Sequence, residues 1–97
     1  MIRIENWSIL SEDKDDKKYA PPEQYLFCIT GIVYGHPKFQ DGEPVKTGRI
    51  SRYNNGRFIT VNKTEYVLGS VNPEYESEYP RAYGRLVNMA EKYLREG

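Results

Sequence analysis

Apolar and polar residues alternate in several stretches of the first 70 positions, with the period of two that is typical of β-strands. The alternation predicts strands over residues 2–10, where Trp7 leads the apolar side, and over residues 45–53. Residues 25–34 form the densest apolar stretch, and their β-branched and aromatic side chains favour a central strand. Gly31 within this strand predicts a bulge or a sharp bend.

A hairpin is predicted at Asn54-Asn55-Gly56, between strand 45–53 and a following strand 57–61. Asn-Gly is a strong hairpin signal because both residues tolerate a positive φ. A two-residue loop at Asn55 and Gly56 pairs Tyr53 with Phe58, Arg52 with Ile59, Ser51 with Thr60 and Ile50 with Val61. This register directs Ile50, Ile59 and Val61 inward and exposes Thr47, Arg49, Ser51, Tyr53, Phe58 and Thr60. A short strand over 65–69 follows.

Beyond Asn72 the apolar period lengthens to three and four residues, which predicts an amphipathic helix over about 78–95 with Pro80 in its first turn. Five strands and one helix indicate an α+β fold. We expect a small, strongly bent five-stranded antiparallel sheet, or a partly open SH3-like barrel, with one C-terminal helix. Residues 1–97 are expected to form a single domain with a β-rich core over 1–70, and the charged run 12–18 a surface loop.

Composition narrows the classes of partner. Fourteen basic and fourteen acidic residues cancel, so no long-range field draws the chain to long nucleic acid or to an anionic membrane. No apolar run approaches the ~20 residues that a membrane helix requires. The single cysteine and the absence of a signal-peptide pattern favour the cytoplasm, which is the host-cell cytoplasm if a phage encodes the protein.

The connection after strand 25–34 carries the only histidine of the chain and several side chains suited to binding. The sequence His36-Pro37 favours an extended backbone at the histidine, and a turn at Asp41-Gly42 can present the Asp41 carboxylate. Tyr34, His36, Phe39 and Asp41 are therefore candidate ligand contacts. A structural alternative is that His36 and Asp41 hydrogen-bond the loop to itself while Phe39 covers the barrel mouth.

Residues 44–64 contain no carboxylate but five cations, namely Lys46, Arg49, Arg52, Arg57 and Lys63. A basic hairpin with an exposed aromatic pair could hold a phosphate through Arg49 and stack a base on Tyr53 or Phe58, with Thr47 on the same face. The alternative is a solvated hairpin whose arginines pair with acids elsewhere.

Catalysis has little support in the sequence. Cys28 and His36 are a conceivable nucleophile and base, but Cys28 lies in the most apolar strand, where a thiol is inert. One histidine and one cysteine do not make a typical transition-metal site, and no glycine-rich phosphate loop is present. We predict that the protein is not an enzyme and uses no metal or cofactor.

Residues 34–42, together with Val45 and Thr47, resemble the core motif VYGHPxFxDGxxVxTS of a group of short uncharacterised proteins from phages, prophages and other bacterial genomes. Trp7-Ser8-Ile9 before the motif and Tyr66-Val67-Leu68-Gly69 after it extend the resemblance over residues 5–69. Gly48 stands where the group usually has serine, and the helix after Ser70 lies outside the pattern. The resemblance implies a mobile-element setting, in which small non-catalytic proteins often act by binding.

Three hypotheses follow. In the first, a small phage-type protein counters host defence by sequestering a nucleotide-like anionic signalling molecule, in a pocket most easily formed between symmetric subunits of a homo-oligomer. The predicted ligand-binding residues are Tyr34, His36, Phe39, Asp41, Thr47, Arg49, Tyr53 and Phe58. The alternative is a protein-interaction module that inhibits or regulates a host or phage partner, such as a defence protein, through Tyr53 and Phe58. A regulatory binder of single-stranded nucleic acid is a third, weaker hypothesis.

Overall fold

The computed structural model describes residues 1–11, 19–24 and 26–94, which form six strands followed by two helices. The strands are β1 Ile2–Ser11, β2 Phe27–Tyr34, β3 Glu43–Lys46, β4 Ile50–Asn54, β5 Arg57–Thr60 and β6 Glu65–Leu68. The helices are α1 Pro73–Glu78 and α2 Ala82–Tyr93. The charged run 12–18, predicted to be a surface loop, lies outside the described residues.

The six strands form one mixed sheet in the order β3-β2-β1-β6-β5-β4. β1 and β6 are parallel, and all other neighbours are antiparallel. The α+β class and the C-terminal helix are therefore confirmed, whereas the prediction of five antiparallel strands is wrong. The sheet is open, but its edge strands β3 and β4 are joined directly by residues 47–49. Because an extended chain from Lys46 to Ile50 spans at most about 14 Å, the two edges must lie near each other.

The predicted strand 45–53 is two strands that belong to opposite edges of the sheet. Thr47 ends the first, because its backbone N–H donates to the Ile29 carbonyl (2.8 Å) and its hydroxyl accepts from the Ile29 N–H (3.0 Å). Two residues later the Arg49 carbonyl accepts from the Val61 N–H (2.9 Å), beside β5. The chain thus changes partner strands within three residues, which an alternating pattern does not reveal.

A β-bulge in β1 sets which side chains enter the core. The register of β1 against β2 shifts just after Glu5, where Asn6 has a φ of 55°, and Gly31 lies opposite. A Cβ at Gly31 would stand 2.6 Å from Cγ2 of Ile4 and 2.7 Å from the Glu5 carbonyl oxygen, so only glycine fits. A bulge was predicted at Gly31 in β2, but the extra residue is in β1, opposite Gly31. Since the bulge reverses the alternation, Ile4 and Trp7 both become buried, although they were predicted to lie on different faces.

The two-residue turn at Asn55 and Gly56 is confirmed, with Tyr53 paired to Phe58 and Arg52 paired to Ile59. Beyond these pairs the prediction is wrong, because Ser51 is an extra residue and Ile50 pairs with Thr60 rather than with Val61. This second bulge turns both Ile50 and Tyr53 toward the core. The predicted exposure is therefore wrong for four residues that are buried: Thr47, Tyr53, Phe58 and Thr60. Val61, expected inside, is 45% exposed.

The predicted helix over 78–95 is replaced by α1 and α2, and Pro80 lies in the turn between them rather than in a first helical turn. The Glu76 carboxylate caps α2, because it accepts from the backbone N–H groups of Arg81 (2.8 Å) and Ala82 (3.2 Å). The apolar residues whose spacing predicted the helix are Tyr79, Tyr83, Leu86, Ala90, Tyr93 and Leu94. Of these, Leu86, Ala90 and Leu94 are buried, Tyr79 is half-buried, and Tyr83 and Tyr93 are exposed. Neither described helix is long and apolar enough to span a membrane.

One hydrophobic cluster connects the sheet to both helices. Trp7 lies in it with no exposed surface, and its ring contacts Tyr75 of α1 (centroids 6.0 Å apart) and Tyr83 of α2 (6.2 Å). The Tyr75 hydroxyl donates to the Ala20 carbonyl (2.6 Å). The Tyr75 side chain is fully buried, and this burial raises the pKa of its phenol. The core therefore continues from the inner face of the sheet under α1 and α2.

Replacing Gly31 by alanine is expected to destabilise the fold by about 1–3 kcal/mol, because the added methyl group overlaps Ile4 and the β1 backbone. The matched control is Gly84→Ala in α2, where no atom lies within 4 Å of a new Cβ. That change should stabilise the protein by about 0.5–1 kcal/mol, because alanine favours the helix. Urea unfolding measures both. Equal effects of the two substitutions would contradict the role given to the bulge.

Candidate ligand-binding site

The histidine loop, defined as residues 35–42, joins β2 to β3 and is held by its own side chains. Asp41 Oδ1 accepts a hydrogen bond from the Gly35 N–H (2.8 Å), where Gly35 has a φ of 80°. Glu43 Oε2 accepts from the Gln40 N–H (2.9 Å). Asp41, predicted to contact a ligand, therefore also fixes the start of the loop to its end. The loop is therefore braced by hydrogen bonds between its own residues and the first residue of β3.

His36 is half-buried, and its Nδ1 accepts from the Lys38 N–H (2.9 Å). In the neutral imidazole this bond leaves the proton on Nε2, which can then donate. The ring meets Phe39 edge-on (centroids 4.7 Å apart) and lies 6.3 Å from the ring of Tyr66 in β6. Phe39 is 42% exposed. His36 and Phe39 together present an exposed aromatic surface with one N–H donor.

Tyr34 ends β2 beside a charged cluster on β1. The Arg3 guanidinium lies 5.0 Å from the Tyr34 ring centroid and pairs with Glu5 (Nε to Oε2, 2.6 Å). The N–H and hydroxyl of Ser70 both donate to Glu5 Oε1 at 2.7 Å. The Ser70 hydrogen bonds, assisted by Arg3, lower the pKa of the Glu5 carboxyl. Tyr34 thus lies between this cluster and the histidine loop.

The aromatic pair expected to stack on a ligand lies inside the protein. Phe58 has no exposed surface, and its ring centroid is 4.9 Å from that of Tyr53, which is 5% exposed. Burial raises the pKa of the Tyr53 phenol. The Tyr53 N–H donates to the Leu94 carbonyl (3.0 Å), which ties β4 to the end of α2. These rings belong to the same hydrophobic cluster as the buried residues of α2 and offer no surface to a ligand.

Thr47 and Arg49 have different surroundings. The buried Thr47 hydroxyl donates to the Gly48 carbonyl (2.7 Å) while it accepts from the Ile29 N–H (3.0 Å), so both of its interactions are with the backbone. Arg49 is half-buried beside a small groove of about 150 Å³. That groove is also lined by Leu26, Ile50, Ser51 and Leu94.

The outer face of the hairpin carries a groove of about 190 Å³, here called the basic groove, lined by Arg52, Asn54, Arg57, Ile59, Lys63 and Glu65. Its residues on β4 and β5 alternate with Tyr53 and Phe58, so burying those rings turns the arginines outward. None of the six residues that line the groove was predicted to bind a ligand, although Arg52, Arg57 and Lys63 were noted as cations of the basic hairpin. The predicted pairing around Asn55-Gly56, which is confirmed, already placed Asn54 opposite Arg57 and so beside the cations of the hairpin.

The histidine loop and the basic groove lie on two sides of β6. His36 contacts Tyr66, which is buried, whereas the preceding residue, Glu65, is exposed and lines the groove. Consecutive side chains of a strand point to opposite faces. Within the part of the chain that the structure describes, one copy therefore does not combine the loop and the hairpin into the single pocket that was predicted.

A larger groove of about 700 Å³ lies along α2 and includes none of the predicted site residues. Its arginine, Arg85, is hydrogen-bonded to Glu23 through two nitrogens (2.7 and 3.0 Å). These bonds lower the pKa of Glu23 and raise that of Arg85. Arg85 is therefore already matched by a carboxylate, and Lys92 is the other cation that lines this groove, which makes the groove a weak candidate for an anion.

Among residues 1–11, 19–24 and 26–94, no group of three or more histidine, cysteine, aspartate or glutamate side chains could hold a metal ion. Cys28 is buried in β2 as a thiol. No protein-family model, no curated protein and no solved structure matches the chain. The resemblance of the histidine loop to short phage proteins stays a prediction.

Replacing Thr47 by valine is expected to cost about 1–3 kcal/mol of stability, because it leaves the buried Ile29 N–H without its acceptor. Thr47→Ser keeps the hydroxyl and should lose less than half as much. Guanidinium unfolding of the two variants provides the comparison. If valine were tolerated as well as serine, the structural role of this hydroxyl would be wrong.

Proposed function

We propose that the protein is a small non-catalytic binding protein that sequesters a nucleotide-like anionic ligand, and that it acts against host defence in the host-cell cytoplasm. The observation that carries the ligand class is the basic groove, where three cations and an amide surround one opening. The setting in host defence rests on the motif resemblance of the histidine loop. Sequestration requires only a site that binds, which suits a groove without a nucleophile.

The chemistry of the groove favours a phosphate. Arg52 and Arg57 come from neighbouring strands, and guanidinium groups match two phosphate oxygens at once. Asn54 adds an amide donor next to them, and Lys63 adds a mobile ammonium from the turn between β5 and β6. All four side chains are exposed, so a ligand can reach them without unfolding the hairpin. Charge-assisted hydrogen bonds contribute about 1.5–3 kcal/mol each.

The groove accommodates only part of such a ligand. Its volume of about 190 Å³ is below the roughly 300 Å³ at which small-molecule pockets usually begin. The remaining part needs another surface, and the exposed Phe39 ring with the half-buried His36 ring beside it suits a base. Since one copy presents these rings on the other side of β6, we propose a homo-oligomer in which the histidine loop of one subunit approaches the basic groove of another.

Arg57→Ala and Arg52→Ala are each expected to weaken nucleotide binding about 10–100-fold, because each removes a charge-assisted contact to phosphate. Isothermal titration calorimetry with nucleoside monophosphates, cyclic dinucleotides and short oligonucleotides measures the effect. Lys92→Ala, which removes an exposed cation of α2, is the control and should bind as the unaltered protein does. Absence of heat with every nucleotide, or full affinity in Arg57→Ala, would end this proposal.

A protein-interaction module is the second candidate, and Phe39 favours it. This ring is 42% exposed on a loop that is held by internal hydrogen bonds. Little conformational entropy of the loop is therefore lost when a partner binds the ring. The partner in this case would be a defence protein with an apolar pocket.

Phe39→Ala separates the two candidates. For the interaction module, the substitution should abolish stoichiometric retention of a partner on the immobilised protein and leave nucleotide affinity unchanged. For sequestration, it should weaken the binding of nucleotides with a base and leave that of inorganic phosphate unchanged. Pull-down and calorimetry on the same variant give both results. If Phe39→Ala changed neither the retention of a partner nor the affinity for nucleotides, Phe39 would be excluded from both functions.

A further inference from the structure

Glu65 is an unexpected member of the basic groove, because a carboxylate repels the anion that the three cations attract. Its Oε1 lies 3.8 Å from Nη1 of Arg57, which is longer than a hydrogen bond. Both side chains are about half exposed (48% for Arg57 and 51% for Glu65). The exposure of the Glu65 side chain leaves its carboxylate accessible to a ligand, which would bind beside or in place of this long ion pair.

An acceptor beside a phosphate site is useful when the ligand carries hydroxyl groups near its phosphate. Carboxylates next to phosphate-binding backbone recognise the ribose hydroxyls of dinucleotides in this way. The Glu65 carboxylate would therefore weaken the binding of inorganic phosphate and strengthen the binding of a sugar phosphate.

The strand geometry places the two functions at a suitable separation. Glu65 pairs with Ile59 on β5, two residues along the chain from Arg57. The ends of the two side chains are 3.8 Å apart (Arg57 Nη1 to Glu65 Oε1), so a ligand with a hydroxyl group next to its phosphate can reach both. Arg52 and Arg57 can thus face the phosphate while Glu65 faces the sugar.

We propose that the basic groove binds the ribose phosphate portion of its ligand and that Glu65 determines this specificity by accepting hydrogen bonds from the ribose hydroxyl groups. This inference rests on the proposed function, which supplies the phosphate contact. It narrows the ligand class from nucleotide-like anions to ribose phosphates.

The test compares inorganic phosphate with ribose 5-phosphate by calorimetry, using the full chain and Glu65→Gln. The unaltered protein should bind ribose 5-phosphate at least tenfold more tightly than phosphate. In Glu65→Gln the affinity for phosphate should rise several-fold, because a repelling charge is lost, and the preference for ribose 5-phosphate should fall at least tenfold. Glu74→Gln, which neutralises an exposed carboxylate of α1, is the control and should keep the preference.

A preference that survives in Glu65→Gln overturns the inference, whether both affinities rise by the same factor or neither changes. The unaltered protein failing to bind either compound overturns the inference and the proposed phosphate site together. Binding that is lost in Arg57→Ala with a preference unaffected by Glu65→Gln rejects the role of Glu65 alone. The thermal unfolding midpoint of Glu65→Gln, expected to be unchanged for an exposed side chain, shows that the variant is folded.

Discussion

The burial of Trp7 is the constraint on which the rest of the structure depends. Its backbone and indole groups make hydrogen bonds to the chain just after β6, at Gly69, Ser70 and Asn72. Its ring contacts Tyr75 and Tyr83, one from each helix. The first strand, the exit from the last strand and both helices therefore meet at one side chain. Trp7 can point inward only because the bulge at Asn6 reverses the alternation of β1, and the bulge fits only because Gly31 has no side chain.

Local signals in the sequence were sufficient for the elements that depend on neighbours in the chain. The Asn55-Gly56 turn and its first pairs are as predicted, because turn chemistry acts over four residues. The bulge at Ser51 was not predictable in this way, and Gly31 indicated a bulge at its own position but not that the extra residue, at Asn6, belongs to β1. Each is decided by what lies across the sheet or under the helix, and each reverses the period of two on which face assignment rests. The division of strand 45–53 has the same cause, since the partner strands change there.

The candidate site follows the same division between local and distant causes. The histidine loop could be recognised from adjacent residues, and its Asp41 and His36 hydrogen bonds are those of the structural alternative. The burial of Tyr53 and Phe58 could not be predicted from adjacent residues, because the sequence does not show where α2 packs. Once Leu94 lies against β4, Tyr53 is covered, and the side of the hairpin predicted to bind becomes part of the core.

The burial of Tyr53 and Phe58 also fixes the side chains on the other side of the hairpin. A strand whose inner side chains are fixed in a core has little freedom to twist, so its outer side chains are held at defined spacing. Arg52 and Arg57 alternate with the two buried rings, and the packing of α2 therefore orients the basic groove without touching it. Overall neutrality is consistent with this arrangement, because a short-range site needs local charge rather than a net charge on the molecule.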